Sequence, residues 1–139
     1  MNDRREFLTA GVAGLAAAIL AAHEAQAAPS ARTIAQRDTP KVNLDGWQMT
    51  ASEVNYPPGE SSARHRHPGF VIGYVLEGQY RFGVNEQAPT VLSPGQMFFE
   101  SFNTPGEVHA VSGNASTTQP AKILAIVFTR KGDPVTIPG

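Results

Sequence analysis

The sequence contains no cysteine. Disulfides, zinc ribbons and thiolate nucleophiles are therefore excluded, and any metal site must be built from histidine, carboxylate or backbone oxygen. A basic surplus is missing too: 11 Lys and Arg stand against 12 Asp and Glu, for a formal charge of -1. Nothing in that balance grips a phosphate backbone, so nucleic acid is not an expected partner. No apolar run reaches the ~20 residues that a membrane-crossing helix needs. After residue 41 no segment keeps a helical period, and neither a solenoid repeat nor a low-complexity tract is found. What remains is a chain of 139 residues, 41% of them hydrophobic, which is one domain's worth and apolar enough to bury a core.

The first residues differ in kind from the rest. Asp3-Arg4-Arg5-Glu6-Phe7-Leu8 precedes a mildly apolar stretch rich in Gly and Ala, and Ala25-Gln26-Ala27 fits a small-residue cleavage site. A charged start, a short apolar run and such an exit predict a secretory signal over residues 1–27. The paired arginines ahead of Glu-Phe-Leu resemble the twin-arginine signal, which exports folded proteins, so the expected location is periplasmic or secreted. Cleavage would remove two basic residues (Arg4, Arg5) and three acidic ones (Asp3, Glu6, Glu24), leaving 9 of each. No stable membrane anchor is then expected. Residues 28–41 are polar and aperiodic and are expected to be a flexible lead-in, with the domain over 42–139.

From Val42 onward short runs alternate with Gly and Pro. Trp47, Met49 and Ala51 alternate with polar neighbours and are followed by Val54 and Tyr56, which suggests strands with one buried face. Further strand signals cover Phe70 to Leu76, Tyr80 to Val84, Thr90 to Leu92, Met97 to Phe99, Val108 to Val111 and Ile123 to Thr129. Pro57-Pro58-Gly59, Glu77-Gly78, Asn85-Glu86 and Ser93-Pro94-Gly95 read as turns, and residues 114–120 as a surface loop. The fold class is all-β, a sandwich or barrel.

Of four histidines, His23 falls in the signal. His65 and His67 are two apart, so on a strand both imidazoles leave the same face, while Arg64 and Arg66 leave the other. Metal–nitrogen bonds are about 2 Å long, so such a pair can close on one ion. His109, on a separate strand signal, could supply a third ligand.

The frame around these residues resembles the cupin family. Its first motif runs Gly, five residues, His-x-His, three or four residues, Glu, six residues, Gly; here Gly59, His65, His67 and Gly78 fall in place. Gly106 and His109 fit the second motif, Pro105 and Asn114 come one place late, and Gly95 lies three places early. The resemblance spans about Val42 to Thr129 and implies a single cupin β-barrel, a double-stranded β-helix of jelly-roll type. One departure bears on chemistry: the motif glutamate should stand at position 71 or 72, where this chain has Val71 and Ile72. Either the site is three histidines plus water, or another carboxylate has replaced it. Glu100, after Phe98-Phe99 and ahead of His109, is the best substitute and otherwise an ordinary loop carboxylate. Glu60, Glu77 and Glu107 sit beside glycines and read as solvated.

Three neutral nitrogens can hold Fe(II), Mn(II), Ni(II), Cu(II) or Zn(II). Cupin sites without the glutamate resemble those of three-histidine Fe(II) dioxygenases acting on diketones, thiols or hydroxylated aromatics, which gives the enzyme reading. A non-catalytic cupin that binds a small molecule or a metal is the alternative, because no general base, nucleophile or cofactor loop is visible. The expected partner is a small-molecule ligand or substrate, and a homodimer is compatible with the chain.

Overall fold

The computed structural model describes residues 27–139. The twin-arginine signal expected over residues 1–27 therefore lies, apart from Ala27, outside the described residues. Arg32–Gly139 form one compact unit. Among the described residues there is no helix, and none long and apolar enough to cross a membrane.

Nine strands follow in chain order: β1 (Trp47–Tyr56), β2 (His65–Arg66), β3 (Phe70–Glu77), β4 (Tyr80–Val84), β5 (Thr90–Leu92), β6 (Met97–Glu100), β7 (Val108–Asn114), β8 (Ala121–Arg130) and β9 (Ile137–Pro138). They form two antiparallel sheets, one in the order β1-β8-β3-β6 and the other β5-β4-β7-β2-β9. The inner faces meet in a core that joins Val71, Val75, Phe98, Ile123 and Val127 of the first sheet to Tyr80 of the second. Tyr80 is fully buried, and its ring lies 5.0 Å from that of Phe98.

The reason for these strands is the two-residue alternation. On β3 the inward residues Val71, Gly73 and Val75 are buried while Ile72 and Tyr74 are only partly covered. Gly73 is where the Phe98 ring crosses the strand; a Cβ there would sit inside that ring, so only glycine lets β6 approach so closely. Gly78 turns β3 into β4 with φ +72, a conformation L side chains rarely adopt.

Two sequence expectations are corrected, and one strand is added. On β1 Val54 and Tyr56 face the core as read, but Met49, at 59% exposure, and Ala51 face solvent, and Trp47 is partly covered on the outer face against Phe70. Asn114 is not part of a surface loop but the buried end of β7, where its Nδ2 donates to the carbonyls of Tyr56, Pro57 and Gln119. Those three bonds tie the β7–β8 connection to the end of β1. The added strand is β9, for which the sequence carries no signal; it follows β8 and pairs with β2.

Candidate metal centre

The site is assembled from one cross-strand pair, one residue just past a strand, and one strand end. His65 and His109 are directly opposed in the β2–β7 register, which puts both side chains on the same face. Their rings are 4.8 Å apart, and the His67 ring stands edge-on to His65 at 5.0 Å. One nitrogen from each of the three lies within 4.8 Å of the others. Two nitrogens sharing an ion at about 2.1 Å can be no more than about 4.2 Å apart. The widest pair thus needs to close by at least about half an ångström, which side-chain rotation supplies.

Hydrogen bonds set which nitrogens face the centre. His65 Nδ1 is 2.7 Å from the Ala63 carbonyl, and His67 Nδ1 is 2.7 Å from the Val135 carbonyl. A carbonyl can only accept, so each Nδ1 carries its proton and each Nε2 keeps a lone pair for a metal. His109 Nε2 shares a hydrogen bond of 3.2 Å with the Tyr80 hydroxyl, and its buried Nδ1 has no hydrogen-bond partner among the described residues. Tyr80 continues to Ser112 at 2.8 Å, Ser112 to Tyr56 at 2.7 Å, and Tyr56 to Ser62 at 3.0 Å. Burial lowers the pKa of His65 from 6.5; the Ala63 carbonyl opposes the shift, and His109 and His67 reinforce it. Its imidazole therefore stays in the neutral, ligating form at pH values where a free one begins to protonate. Burial also pushes the Tyr80 hydroxyl above its ordinary value of 10, so it remains a phenol.

Glu100 is brought to the same place. Its side chain is 3% exposed, with Oε1 3.0 Å from His109 Nδ1 and Oε2 3.8 Å from His67 Nε2. The Nδ1–Oε1 approach is a close polar contact and not a hydrogen bond. The β3–β6 register explains how the carboxylate arrives there. Glu100 is the direct partner of Val71, and six residues separate Val71 from Gly78, the spacing at which the motif glutamate belongs. Partners in an antiparallel pair project to the same face, so a carboxylate on β6 enters the space that one on β3 would enter. After Glu100 the chain turns sharply at Ser101, whose φ is 59, and the Ser101 N–H donates to Glu107 Oε2 at 2.7 Å. Glu107 is therefore a brace for this turn, not the solvated carboxylate expected. Glu60 and Glu77 are exposed, as expected.

The donor set fits a divalent cation. An acidic side chain this buried, which accepts no hydrogen bond among the described residues, is costly without a positive charge to offset it. The three histidines and Glu100 line a cavity of about 330 Å3 whose other walls are largely apolar, including Val54, Phe98 and Ile123.

Residues 52–127 match the family described as the cupin domain, and the chain belongs to that family. Its two sheets form the double-stranded β-helix. A cupin-like protein of Thermotoga maritima superposes with TM-score 0.50 at 18% identity, covering 73% of this chain and 90% of that one. The DMSP lyase DddQ of Ruegeria pomeroyi gives TM-score 0.53 at 23% identity over 65% of this chain, which spans only 42% of the lyase. A predicted oxalate decarboxylase, also of Thermotoga maritima, gives 0.50 at 25% identity, over 62% of this chain and 69% of the other. No curated protein matches the chain.

Proposed function

We propose that this is an exported cupin that holds one divalent transition-metal ion, Fe(II) foremost, on His65, His67 and His109 with Glu100 beside it, and that it acts as a metal-dependent oxidoreductase of dioxygenase type on a small organic substrate. The observation that carries this reading is the convergence of three imidazole nitrogens within 4.8 Å, two with the proton held by a backbone carbonyl, inside a cavity large enough for a small molecule. A bound divalent ion would supply Lewis acidity and, if redox-active, one-electron chemistry. The protein's part is to exclude water with the apolar walls, to hold negative charge at Glu100, and to offer the Tyr56 and Ser62 hydroxyls to a polar group of the substrate.

The position of Glu100 supports a second reading. A carboxylate opposite Val71 restores a three-histidine, one-carboxylate set and removes the reason for preferring oxygen chemistry. The similar structures include a DMSP lyase and a predicted oxalate decarboxylase, so elimination or decarboxylation of a small organic acid is the alternative activity. Protein loaded in turn with Fe(II), Mn(II) and Zn(II) should be offered diketones, catechols and small organic acids, with oxygen uptake and anaerobic product release both followed. Oxygen consumption only with Fe(II) supports the first reading, and product without oxygen the second. Ligand-raised melting with no turnover under any metal identifies a binding protein and refutes both. For export, changing Arg4 and Arg5 to lysine should leave an uncleaved precursor in the cytoplasm; normal processing would remove the twin-arginine route.

A further inference from the structure

A second cavity, of about 520 Å3, lies on the opposite side of β3 from the metal and shares no lining residue with the metal cavity. Alternation along β3 separates the two: Val71 lines the metal cavity and Phe70 this one. Glu100 and Ser101 are divided in the same way. The segment 38–42, bent where the Val42 N–H donates to the Pro40 carbonyl at 2.9 Å, forms one wall, and upstream the Arg37 guanidinium lies 4.8 Å over the Phe99 ring.

The chemistry of this lining is that of a ligand site. Phe70, itself 7% exposed, packs against Trp47 at 5.9 Å and edge-on against Phe102 at 5.5 Å, so the aromatic lining a ligand can reach is that of the partly exposed Trp47 and Phe102 rings. Two hydrogen-bonding atoms of lining residues, Trp47 Nε1 and Ser101 Oγ, are buried without a partner among the described residues. Ser101 as a whole is only 5% exposed. The indole N–H can only donate and the hydroxyl also offers a proton, so both call for an acceptor oxygen. The charged side chains on the lining, Asp38 and Lys41, cancel and select no net charge. We propose that this cavity binds a small uncharged aromatic carbonyl compound, packed on the Trp47 and Phe102 rings with its oxygen taking the Trp47 and Ser101 protons, at a site separate from the metal.

Trp47 is the single tryptophan of the chain, so its indole N–H gives one resonance in a 1H–15N spectrum of the full-length protein. Acetophenone serves as the probe, and toluene as its partner without an acceptor. Acetophenone should shift the indole resonance saturably, and toluene should bind roughly tenfold more weakly, the factor worth about one hydrogen bond. Ser101→Gly is the informative variant, because φ 59 suits glycine, so the fold should be kept while the hydroxyl is lost. It should weaken acetophenone several-fold while the 1H–15N spectrum keeps the dispersion of the folded protein. Phe102→Ala, on a partly exposed side chain, provides a second handle should Ser101→Gly fold poorly, and should also lower affinity. No saturable shift, equal affinity for the two probes, or affinity untouched in both variants would overturn the proposal.

Discussion

The two walls of the metal centre are built on different principles. The histidine wall is fixed by main chain: His65 and His109 are held in register across β2 and β7, and carbonyls of Ala63 and Val135 orient two of the rings. The carboxylate wall ends an edge. β6 pairs with β3 alone, Glu100 is its last residue, and a left-handed Ser101 braced by Glu107 sets its direction. Backbone partners restrain a ligand more than a single loop does, so the histidine geometry is the part the fold specifies. The carboxylate stands on β6, opposite the motif position at Val71 and on the same face.

The largest effect should come from the rigid wall. His109→Ala removes a ligand and leaves the Glu100 carboxylate buried without its 3.0 Å neighbour. Metal per chain, measured by elemental analysis after loading, should fall severely, as it should in His65→Ala and His67→Ala; full occupancy in any of them would mean that the three do not act as one set. A smaller change is expected at the other wall. Glu100→Gln should weaken metal binding by ~10–100-fold if the carboxylate acts through the histidines, and by more if it ligates. Chelator competition reads this directly, and equal affinity would sink any role for Glu100. The comparison sharpens with an exchange across the β3–β6 pair. Adding Val71→Glu to Glu100→Val should recover most of the affinity that Glu100→Val loses, because both positions open on the same space. Failure to recover it would mean that strand, as well as face, matters.

Most of the fold was legible because its signals are local. Alternation marked seven of the nine strands, and Gly59 and Gly78 framed the His-x-His segment. The three histidines were legible for the same reason. What escaped depends on register between distant segments. The β3–β6 pairing that sets Glu100 against Val71 cannot be counted along the chain, and neither can the β2–β9 pairing that brings Val135 to His67. The outward face of β1 misled because Met49 and Ala51 are apolar on the solvent side and Trp47 packs on the outer face against Phe70, so apolarity alone chose the wrong face for these three. Tyr80 was read only as one of several alternating core positions; its role at His109 needed the second sheet to be seen.

Tyr80 supplies the smallest and most discriminating test. Its hydroxyl is the only group among the described residues that hydrogen-bonds His109, at 3.2 Å, and it is buried beside a ring that no backbone carbonyl orients. Tyr80→Phe keeps the ring that packs on Phe98 and removes only that oxygen. Ser112 keeps Tyr56 as a partner at 2.7 Å, so the one atom newly left without a partner is His109 Nε2. The stability loss should therefore be about 1 kcal/mol, read by denaturant unfolding of the metal-free protein. Metal affinity should fall by about tenfold, the low end for a group that orients a ligand without touching the ion. The loss should be the same at pH 7 and pH 9, since burial keeps the phenol protonated throughout. An affinity equal to wild type would show that the β2–β7 register positions His109 unaided, leaving the hydroxyl chain from Tyr80 to Ser62 to hold the two sheets together.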